Sequence, residues 1–507
     1  SYLTLYLAVR EISRNNKYAI VSAFILYAIV PAASDRSIIG FVEKAGIALT
    51  FIYLTIYFYS KLARMINDRN TPSDLKLLTS LLTGICIAVV GWFWGGYIYV
   101  LATMVAFIVL YPLFNPKAIT SEFIKYHLIL VLSALFFVIP APSNLRSLGF
   151  LPFKWKSPGI ALIAALILPI IFYLLHSGYK KIGLKKPLLN PSRYFGLLLV
   201  IIIIGIVLYA NGLITMSPRF AWALGLRAIS PAPPLVQSIE EHQSPLSSPG
   251  MFSDMLRSWG TGLMPLLLFS PLVMAIFGAL YLIYRGGMDQ VYVAIAFLIG
   301  FYSYLNASYM EATAASTGLL VAGVFIGYIV SKIIPSKREV IEWRKARVRI
   351  GTSMTSRIIA LLFTILIGVN LVFAGIANYQ SHSNMIYSIM AGGAPLAART
   401  NAWYETIDFL RHNLSKNAVV IAWWDYGYWI SVAGDRISVA DGATLNSTQI
   451  KILARILTAT DLNELFENMK LLRLPPNDTY ILVFDVFWFF PSTANPSEYT
   501  VMPYYSP

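Results

Sequence analysis

Long apolar runs separated by short polar stretches occupy the first three quarters of the chain. A helix that crosses a lipid bilayer needs roughly 20 mostly apolar residues. The pattern predicts a partial span at residues 1–9 and about eleven full spans, at 18–34, 45–62, 75–91, 93–114, 124–141, 158–176, 194–213, 262–284, 289–307, 312–332 and 355–378. We therefore expect residues 1–378 to form a polytopic α-helical membrane domain.

Residues 379–507 follow a different pattern, in which short helical and strand-like stretches alternate. Helical patterns occur at 401–413 and 447–457, and strand-like patterns at 417–422 and 480–486. This alternation is typical of a mixed α/β soluble domain. We therefore predict a second domain over 379–507, and we expect this domain to be incomplete at its C-terminal end.

Composition and charge favour the same class of protein. Only 12% of the residues are charged, 57% are hydrophobic, and the mean hydropathy is +0.65, which a soluble protein rarely shows. The net charge of +15 does not indicate nucleic-acid binding, because the basic residues lie in short clusters between the apolar runs. If each run crosses once, all four clusters lie on one side, which should be cytoplasmic. The clusters are Arg10, Arg14 and Lys17; Lys61, Arg64 and Arg69; Lys180, Lys181, Lys185, Lys186 and Arg193; and Lys332, Lys337, Arg338, Arg344, Lys345, Arg347 and Arg349.

The opposite, extracytoplasmic side then receives a short loop, 33–46, a long Pro- and Ser-rich loop, 214–261, and the soluble domain. That domain contains an aromatic cluster, Trp423-Trp424-Asp425-Tyr426-Gly427, directly after a strand-like run. An indole N–H only donates hydrogen bonds and an ionised carboxylate only accepts them. Two Trp and one Asp can therefore hold a small hydroxyl group between them. A packed aromatic corner of a soluble domain is the alternative interpretation.

The cluster resembles the WWDYG signature of the oligosaccharyltransferase catalytic subunit family, which includes STT3-type, archaeal and bacterial enzymes. The stretch from Ala440 to Gln449 is similar to the same family. The resemblance implies a GT-C-type multispan bundle that transfers an oligosaccharide en bloc, with inversion, from a polyprenyl-(pyro)phosphate lipid to an acceptor polypeptide. The acceptor atom is the side-chain amide nitrogen of Asn in an Asn-x-Ser/Thr sequon. The implied ligands of the sequon hydroxyl are Trp423, Trp424, Asp425, Tyr426 and Gly427.

Acids in the two loops match the same family. In the long loop, Ser238-Ile239-Glu240-Glu241 resembles its Thr/Ser-Ile/Val-x-Glu motif, which implies that Glu241 contacts both a metal ion and the acceptor. In the short loop, Glu43 matches the first acid of an acid-x-acid motif and is an implied metal ligand, whereas Ala45 replaces the second acid. From the residues alone, a solvated loop equally explains Glu241, and an acid at a helix start explains Glu43.

The resemblance makes Glu43 and Glu241 the expected catalytic and metal-binding residues. Oxygen ligands favour hard divalent cations such as Mg²⁺ or Mn²⁺, and such a cation would neutralise a phosphate leaving group. The amide nitrogen is a poor nucleophile because its lone pair is delocalised. The resemblance implies that carboxylates accept both amide N–H groups and thereby weaken the conjugation.

Two further features lie at the outer ends of predicted spans. Trp94-Gly95-Gly96-Tyr97 is similar to family text, and we interpret it as architectural. Glu311 lies at the outer start of a span, where an acid is a functional candidate. Helix capping explains Glu311 equally well, so it stays unassigned.

Other classes of protein and other boundaries stay open. A transporter would show inverted repeats and broken helices, and it would not need the large outer domain. Another lipid-dependent GT-C glycosyltransferase would share the bundle and the loop acids, but not the WWDYG-bearing domain. We expect a further acid-bearing loop before residue 1 and a second sequon-binding motif after Pro507. The Ile-rich spans favour an archaeal cell membrane, with the active site extracytoplasmic.

Overall fold

The computed structural model describes residues 2–34, 44–66, 68–94, 96–139, 163–179, 185–213, 225, 243–333, 354–390, 402–442, 446–475, 477–483, 487–491 and 499–503. The chain divides into two compact units, Ser1–Asn378 and Tyr379–Pro507. Each unit has a hydrophobic core of its own.

The described part of the first unit consists of helices. In chain order they are α1 (Tyr2–Ile12), α2 (Lys17–Ile29), α3 (Pro31–Ser34), α4 (Lys44–Met65), α5 (Ser73–Phe93), α6 (Tyr97–Phe114), α7 (Ser121–Phe137), α8 (Ile167–Phe172), α9 (Pro191–Ala210), α10 (Pro249–Ser258), α11 (Pro271–Arg285), α12 (Met288–Asn306), α13 (Glu311–Ile333) and α14 (Met354–Met390). Among the described residues, 8 segments are long and apolar enough to cross a membrane: Gly46–Met65, Ser73–Phe93, Tyr97–Phe114, Pro191–Ala210, Met264–Arg285, Met288–Asn306, Ser308–Ile333 and Arg357–Ala377. The predicted polytopic helical fold is confirmed.

Three of the predicted full spans fall on shorter helices. α2 has 13 residues and α7 has 17. The third is the helical segment Ile163–Ser177, which contains α8. The predicted span at 18–34 corresponds to two helices, because α2 ends at Ile29 and Pro31, which has no backbone N–H, begins the separate helix α3. The start of the predicted span at 158–176 lies outside the described residues. The partial span predicted at 1–9 corresponds to α1.

Charged side chains join several helix ends at one end of the first unit, which we call the basic end. The ion pairs there are Glu11–Arg64, Arg14–Asp289 and Lys76–Glu122. Arg14 donates through both terminal nitrogens to the two carboxylate oxygens of Asp289, at 2.8 and 2.9 Å. Lys76 also donates to the carbonyl oxygen of Ile66, directly after α4, at 3.2 Å. These contacts bring the last turns of α1 and α4 beside the first turns of α5, α7 and α12. α1 and α4 therefore run towards the basic end, and α5, α7 and α12 run away from it, as single crossings require.

Small residues allow two of the central helices to pack closely. A Cβ atom added at Gly323 or Gly327 of α13 would lie 2.6 Å from the Cβ of Ala23 and 2.3 Å from the backbone nitrogen of Ala19, both in α2. Each distance is too short for a real side chain, so only glycine fits at these positions of α13. The spacing of four residues on both helices is the small-residue pattern of close packing in membranes.

The second unit is a mixed α/β structure, as predicted. It contains α15 (Ala402–Asn413), β1 (Val419–Ile421), β2 (Ile437–Ser438), α16 (Ser447–Leu457), α17 (Leu462–Leu471), β3 (Thr479–Ile481), β4 (Phe487–Pro491) and β5 (Tyr499–Pro503). β1 lies between β2 and β3 in a parallel sheet, in which Val420 pairs with Ser438 and Tyr480. β4 and β5 form a separate antiparallel pair. The sequence pattern located α15, α16, β1 and, by the strand predicted at 480–486, part of β3, but it did not indicate α17, β2, β4 or β5.

Candidate functional site

The Trp-Trp-Asp-Tyr-Gly cluster follows the middle strand of the parallel sheet. β1 is buried along its length, Trp423 continues it in an extended conformation, and Trp424–Tyr426 form a single turn of 3₁₀-helix. A short π-helical segment, Trp429–Ala433, comes next. The cluster therefore lies at the carboxyl end of the central strand, where open parallel sheets commonly bind ligands.

Hydrogen-bonding groups of opposite type are adjacent in this turn. The rings of Trp423 and Trp424 lie 5.5 Å apart, inclined by 43°. Trp424 is 8% exposed, and its indole N–H has no acceptor among the described residues. Asp425 is exposed beside it. A buried donor without an acceptor is costly, so this turn has the hydrogen-bonding capacity to receive a hydroxyl group.

A further aromatic side chain, Trp403, packs against two rings in and after the turn. Trp403, near the start of α15, is buried, and its ring lies 5.1 Å from that of Tyr426 and 5.4 Å from that of Trp429. Burial, and secondarily the charge of Asp425, raises the pKa of Tyr426 above its ordinary value. Tyr426 therefore stays a neutral hydroxyl at physiological pH.

Gly427 is required by the close approach of another segment. A Cβ atom at this position would lie 2.1 Å from the carbonyl oxygen of Ala440 and 2.5 Å from the Cα of Asp441. Any side chain at 427 would push apart the cluster and the segment around Ala440. Packing therefore requires glycine at the last position of the cluster.

Arg436 connects the segment after the cluster to α15. Its buried guanidinium donates to the carbonyl oxygens of Arg411 and Leu414, at 2.5 and 2.8 Å. Its own backbone N–H donates to Ile430 in the π-helical segment, at 3.2 Å. The support that Trp403 and Arg436 give to the cluster was not predicted from the sequence. No local sequence pattern indicates that either residue supports the cluster. Both are large side chains in a domain with a small hydrophobic core.

The predicted acids of the two loops, Glu43 and Glu241, lie outside the described residues. No group of three His, Cys, Asp or Glu side chains suited to a metal ion occurs among the residues that the structure describes. Gln243, two residues after Glu241, accepts hydrogen bonds through its carbonyl oxygen from the backbone N–H and the hydroxyl of Ser308, at 2.9 and 3.0 Å.

Three residues of the stretch Trp94-Gly95-Gly96-Tyr97, which we interpreted as architectural, are described in the structure. Trp94 is buried and donates from its indole nitrogen to the hydroxyl of Tyr309, at 2.7 Å. A Cβ atom at Gly96 would lie 2.2 Å from the Trp94 ring, whereas Gly95 lies outside the described residues. These contacts connect the end of α5 to the start of α13 and have a packing role.

Comparisons with known proteins assign the fold and the cluster to one family. Residues 416–477, which contain the cluster, match the STT3/PglB/AglB core domain. The STT3B subunit of dolichyl-diphosphooligosaccharide–protein glycosyltransferase from Arabidopsis thaliana is 22% identical over 477 residues, which are 86% of this chain and 58% of the relative. The chain is similar to oligosaccharyltransferase catalytic subunits along most of its length, and residues 416–477 match the core domain of these proteins.

Solved structures of archaeal oligosaccharyltransferases share the fold. The Archaeoglobus fulgidus enzyme AglB, in complex with an inhibitory peptide and a dolichol-phosphate, has a TM-score of 0.65 at 15% identity, with 93% of this chain and 56% of that chain covered. The same enzyme tethered to an acceptor peptide with an NVT sequon has a TM-score of 0.59 at 16% identity, with 93% and 55% covered. The present chain thus spans little more than half the length of these oligosaccharyltransferases.

Proposed function

We propose that this protein transfers an oligosaccharide en bloc from a polyprenyl-linked donor to the Asn side chain of Asn-x-Ser/Thr sequons, with inversion at the sugar carbon. The observation that carries the proposal is the turn at 423–427, which lies within the family's core-domain match and holds a buried indole N–H without an acceptor among the described residues. A related archaeal enzyme has been solved with an NVT acceptor and with a dolichol-phosphate.

The sequon hydroxyl is the ligand that we assign to this turn. The indole N–H groups of Trp423 and Trp424 donate to its oxygen, and the carboxylate of Asp425 accepts a hydrogen bond from its O–H. Tyr426 and Gly427 shape the turn, the former against Trp403 and the latter against Ala440. A site built for a hydroxyl rejects analogues that lack it by roughly 10⁴-fold, which supports selection of Ser or Thr over other residues.

Glu43 and Glu241 are the residues that we assign to the acceptor amide and to a divalent cation. A pair of carboxylates is the donor set that Mg²⁺ and Mn²⁺ favour, so the residue types fit such an ion. When bound, it would offset the negative charge of the departing phosphate. Glu241 accepts an N–H bond from the acceptor amide, which draws the nitrogen lone pair out of conjugation. Because Ala45 replaces the usual second acid, this chain supplies fewer carboxylates than most of its family.

The orientation that we propose places the basic end on the cytoplasmic side. Among the described residues, Arg10, Arg14 and Arg64 lie at that end, and cytoplasmic loops of membrane proteins are rich in Lys and Arg. The loops that carry Glu43 and Glu241, and the second unit, then lie outside the cytoplasm. The lipid-linked donor reaches the site from the bilayer. An archaeal cell membrane is the location that we favour.

The test is a transfer assay with the full-length protein, a lipid-linked oligosaccharide, Mn²⁺ and an Asn-x-Thr peptide, read by mass spectrometry of the glycopeptide. We expect transfer with the Asn-x-Thr peptide and none with Asn-x-Ala. Glu241→Gln keeps the shape of the side chain but weakens its hold on the amide and the cation, and we expect turnover to fall by at least about 100-fold. Near-normal turnover in this variant would remove Glu241 from the reaction.

A further inference from the structure

The acid at the start of α13 is not used in the chemistry proposed above. Glu311 is half-buried, and one of its carboxylate oxygens, Oε1, accepts two hydrogen bonds from other segments. The hydroxyl of Ser258, the last residue of α10, donates at 2.5 Å, and the hydroxyl of Tyr304, near the end of α12, donates at 2.8 Å. Hydrogen bonds to an ionised carboxylate are shorter and roughly twice as strong as those between neutral groups.

Helix capping alone does not account for this geometry. An acid in the first turn of a helix is favoured by the helix dipole, whatever lies opposite its side chain. Here the side chain instead holds α10, which belongs to the long loop, against the turn between α12 and α13. Trp259, directly after α10, is fully buried, and its ring lies 6.0 Å from that of Tyr304.

The other end of the same loop segment is attached to the same turn. Ser308 donates through its backbone and its hydroxyl to the carbonyl oxygen of Gln243, at 2.9 and 3.0 Å. The hydroxyl of Ser244 donates to the carbonyl oxygen of Leu305, at 2.6 Å. The segment from Gln243 to Trp259 is therefore held at both ends by residues 304–311. In the sequence, this segment begins two residues after Glu241.

We propose that Glu311 is a positioning residue for glycan transfer, because it fixes the loop segment that directly follows Glu241. The proposal rests on the function proposed for Glu241. Glu311 itself touches neither the acceptor nor the donor in this scheme. It ties the distal end of the segment, at Ser258, to the turn that also holds Gln243, so that the chain enters and leaves this part of the loop at fixed points. Misplacement of a reacting group by about 1 Å can cost about 100-fold in rate.

The experiment compares Glu311→Ala with Glu311→Gln in the full-length protein. Two readouts are needed: steady-state transfer to an Asn-x-Thr peptide, and hydrogen exchange of the backbone amides of residues 243–259. Asp254→Ala is the matched control, because Asp254 lies on α10, the helix that Glu311 contacts through Ser258, is exposed, and pairs only with the exposed Arg257 at 3.9 Å among the contacts described. We expect Glu311→Ala to lower kcat by between about tenfold and 100-fold, with the peptide KM within about twofold of wild type and with faster exchange over 243–259.

The conservative variant separates positioning from a direct role of the charge. The amide oxygen of Gln can accept from both hydroxyls, so Glu311→Gln should recover most of the lost kcat and slow the exchange. The proposal is overturned if Glu311→Ala keeps wild-type kcat, if kcat falls while exchange over 243–259 is unchanged, or if Glu311→Gln is as impaired as the alanine variant. Absence of transfer by the wild type would reject the proposed function instead. The exchange comparison would then still decide whether Glu311 holds the segment.

Discussion

The two ends of the first unit are joined by different kinds of contact. At the basic end, fully charged partners meet, and the side chains of Asp289 and Lys76 are only 2% and 3% exposed. At the opposite end, which comprises residues 92–97, 243–262 and 304–311 and which we call the loop end, the contacts are mainly hydroxyl and indole groups. Trp94 donates to Tyr309 there, and hydroxyls surround the single carboxylate of Glu311.

The two kinds of contact indicate different structural roles for the two ends. A buried charge that loses its partner is costly, so an ion pair such as Arg14–Asp289 tolerates one arrangement only. The hydrogen bonds at the loop end do not pair two charged side chains, so the loss of one partner there costs less than the loss of one partner of a buried ion pair. The basic end is thus suited to fix the helices, and the loop end is suited to hold the segment 243–259, which follows the residue proposed as catalytic, Glu241. Changes at the basic end should lower stability, whereas changes at the loop end should also lower transfer.

Arg14→Ala should give the largest loss of stability. The change leaves the carboxylate of Asp289 buried without its two guanidinium bonds, which we expect to lower the free energy of unfolding by about 3 kcal/mol. Adding Asp289→Asn removes the unpaired charge and should restore part of that loss. Unfolding in detergent, followed by a spectroscopic probe, measures both effects. Equal losses in the single and double variants would show that the charge pairing is unimportant.

Asn370→Ala tests the loop end, where we expect a somewhat smaller loss. Asn370 of α14 is fully buried, accepts from the N–H of Gly262 at 3.1 Å and donates to the carbonyl of Gly260 at 2.9 Å. Its removal leaves two backbone groups without partners, at a cost of about 2 kcal/mol. Unlike Arg14→Ala, it should also lower kcat per folded molecule, measured in the transfer assay at a temperature where both variants are folded. Normal kcat would contradict the contrast between the two ends.

Tyr309→Phe should have the smallest effect of the three. The variant removes the acceptor of the buried Trp94 indole N–H, at a cost of about 1 kcal/mol. Replacing Trp94 by Phe in the same chain removes the donor as well, but it also removes buried ring area. The two changes should therefore combine to less than the sum of their separate losses in a double-mutant cycle. Strict additivity would indicate that this hydrogen bond contributes nothing to the loop end.

The fold and the site were predictable from the sequence to different extents. Long apolar runs identified the membrane helices, because one run of residues is enough to specify a span. The break between α2 and α3 was not predicted, because the run stays apolar from Val30 to Ala33 across Pro31. The position of Trp424 after β1 followed from a local pattern. By contrast, the side chains of Asn370, Trp403 and Arg436 contact residues that are between 22 positions away in the chain, as for Arg436 and Leu414, and 110 positions away, as for Asn370 and Gly260. No local pattern indicates such pairs.

The aromatic cluster provides the most direct measurement of the central claim, that this chain selects acceptors by the sequon hydroxyl. The assay compares kcat/KM for an Asn-x-Thr peptide and for the same peptide with Val in place of Thr, in the wild type, in Trp424→Phe, and in Tyr428→Phe as a control. We predict a strong preference for Thr in the wild type and in the control, and a preference about tenfold weaker in Trp424→Phe, because one donor to the hydroxyl is lost. An unchanged ratio in Trp424→Phe, or a wild type that accepts Val as readily as Thr, would contradict the account.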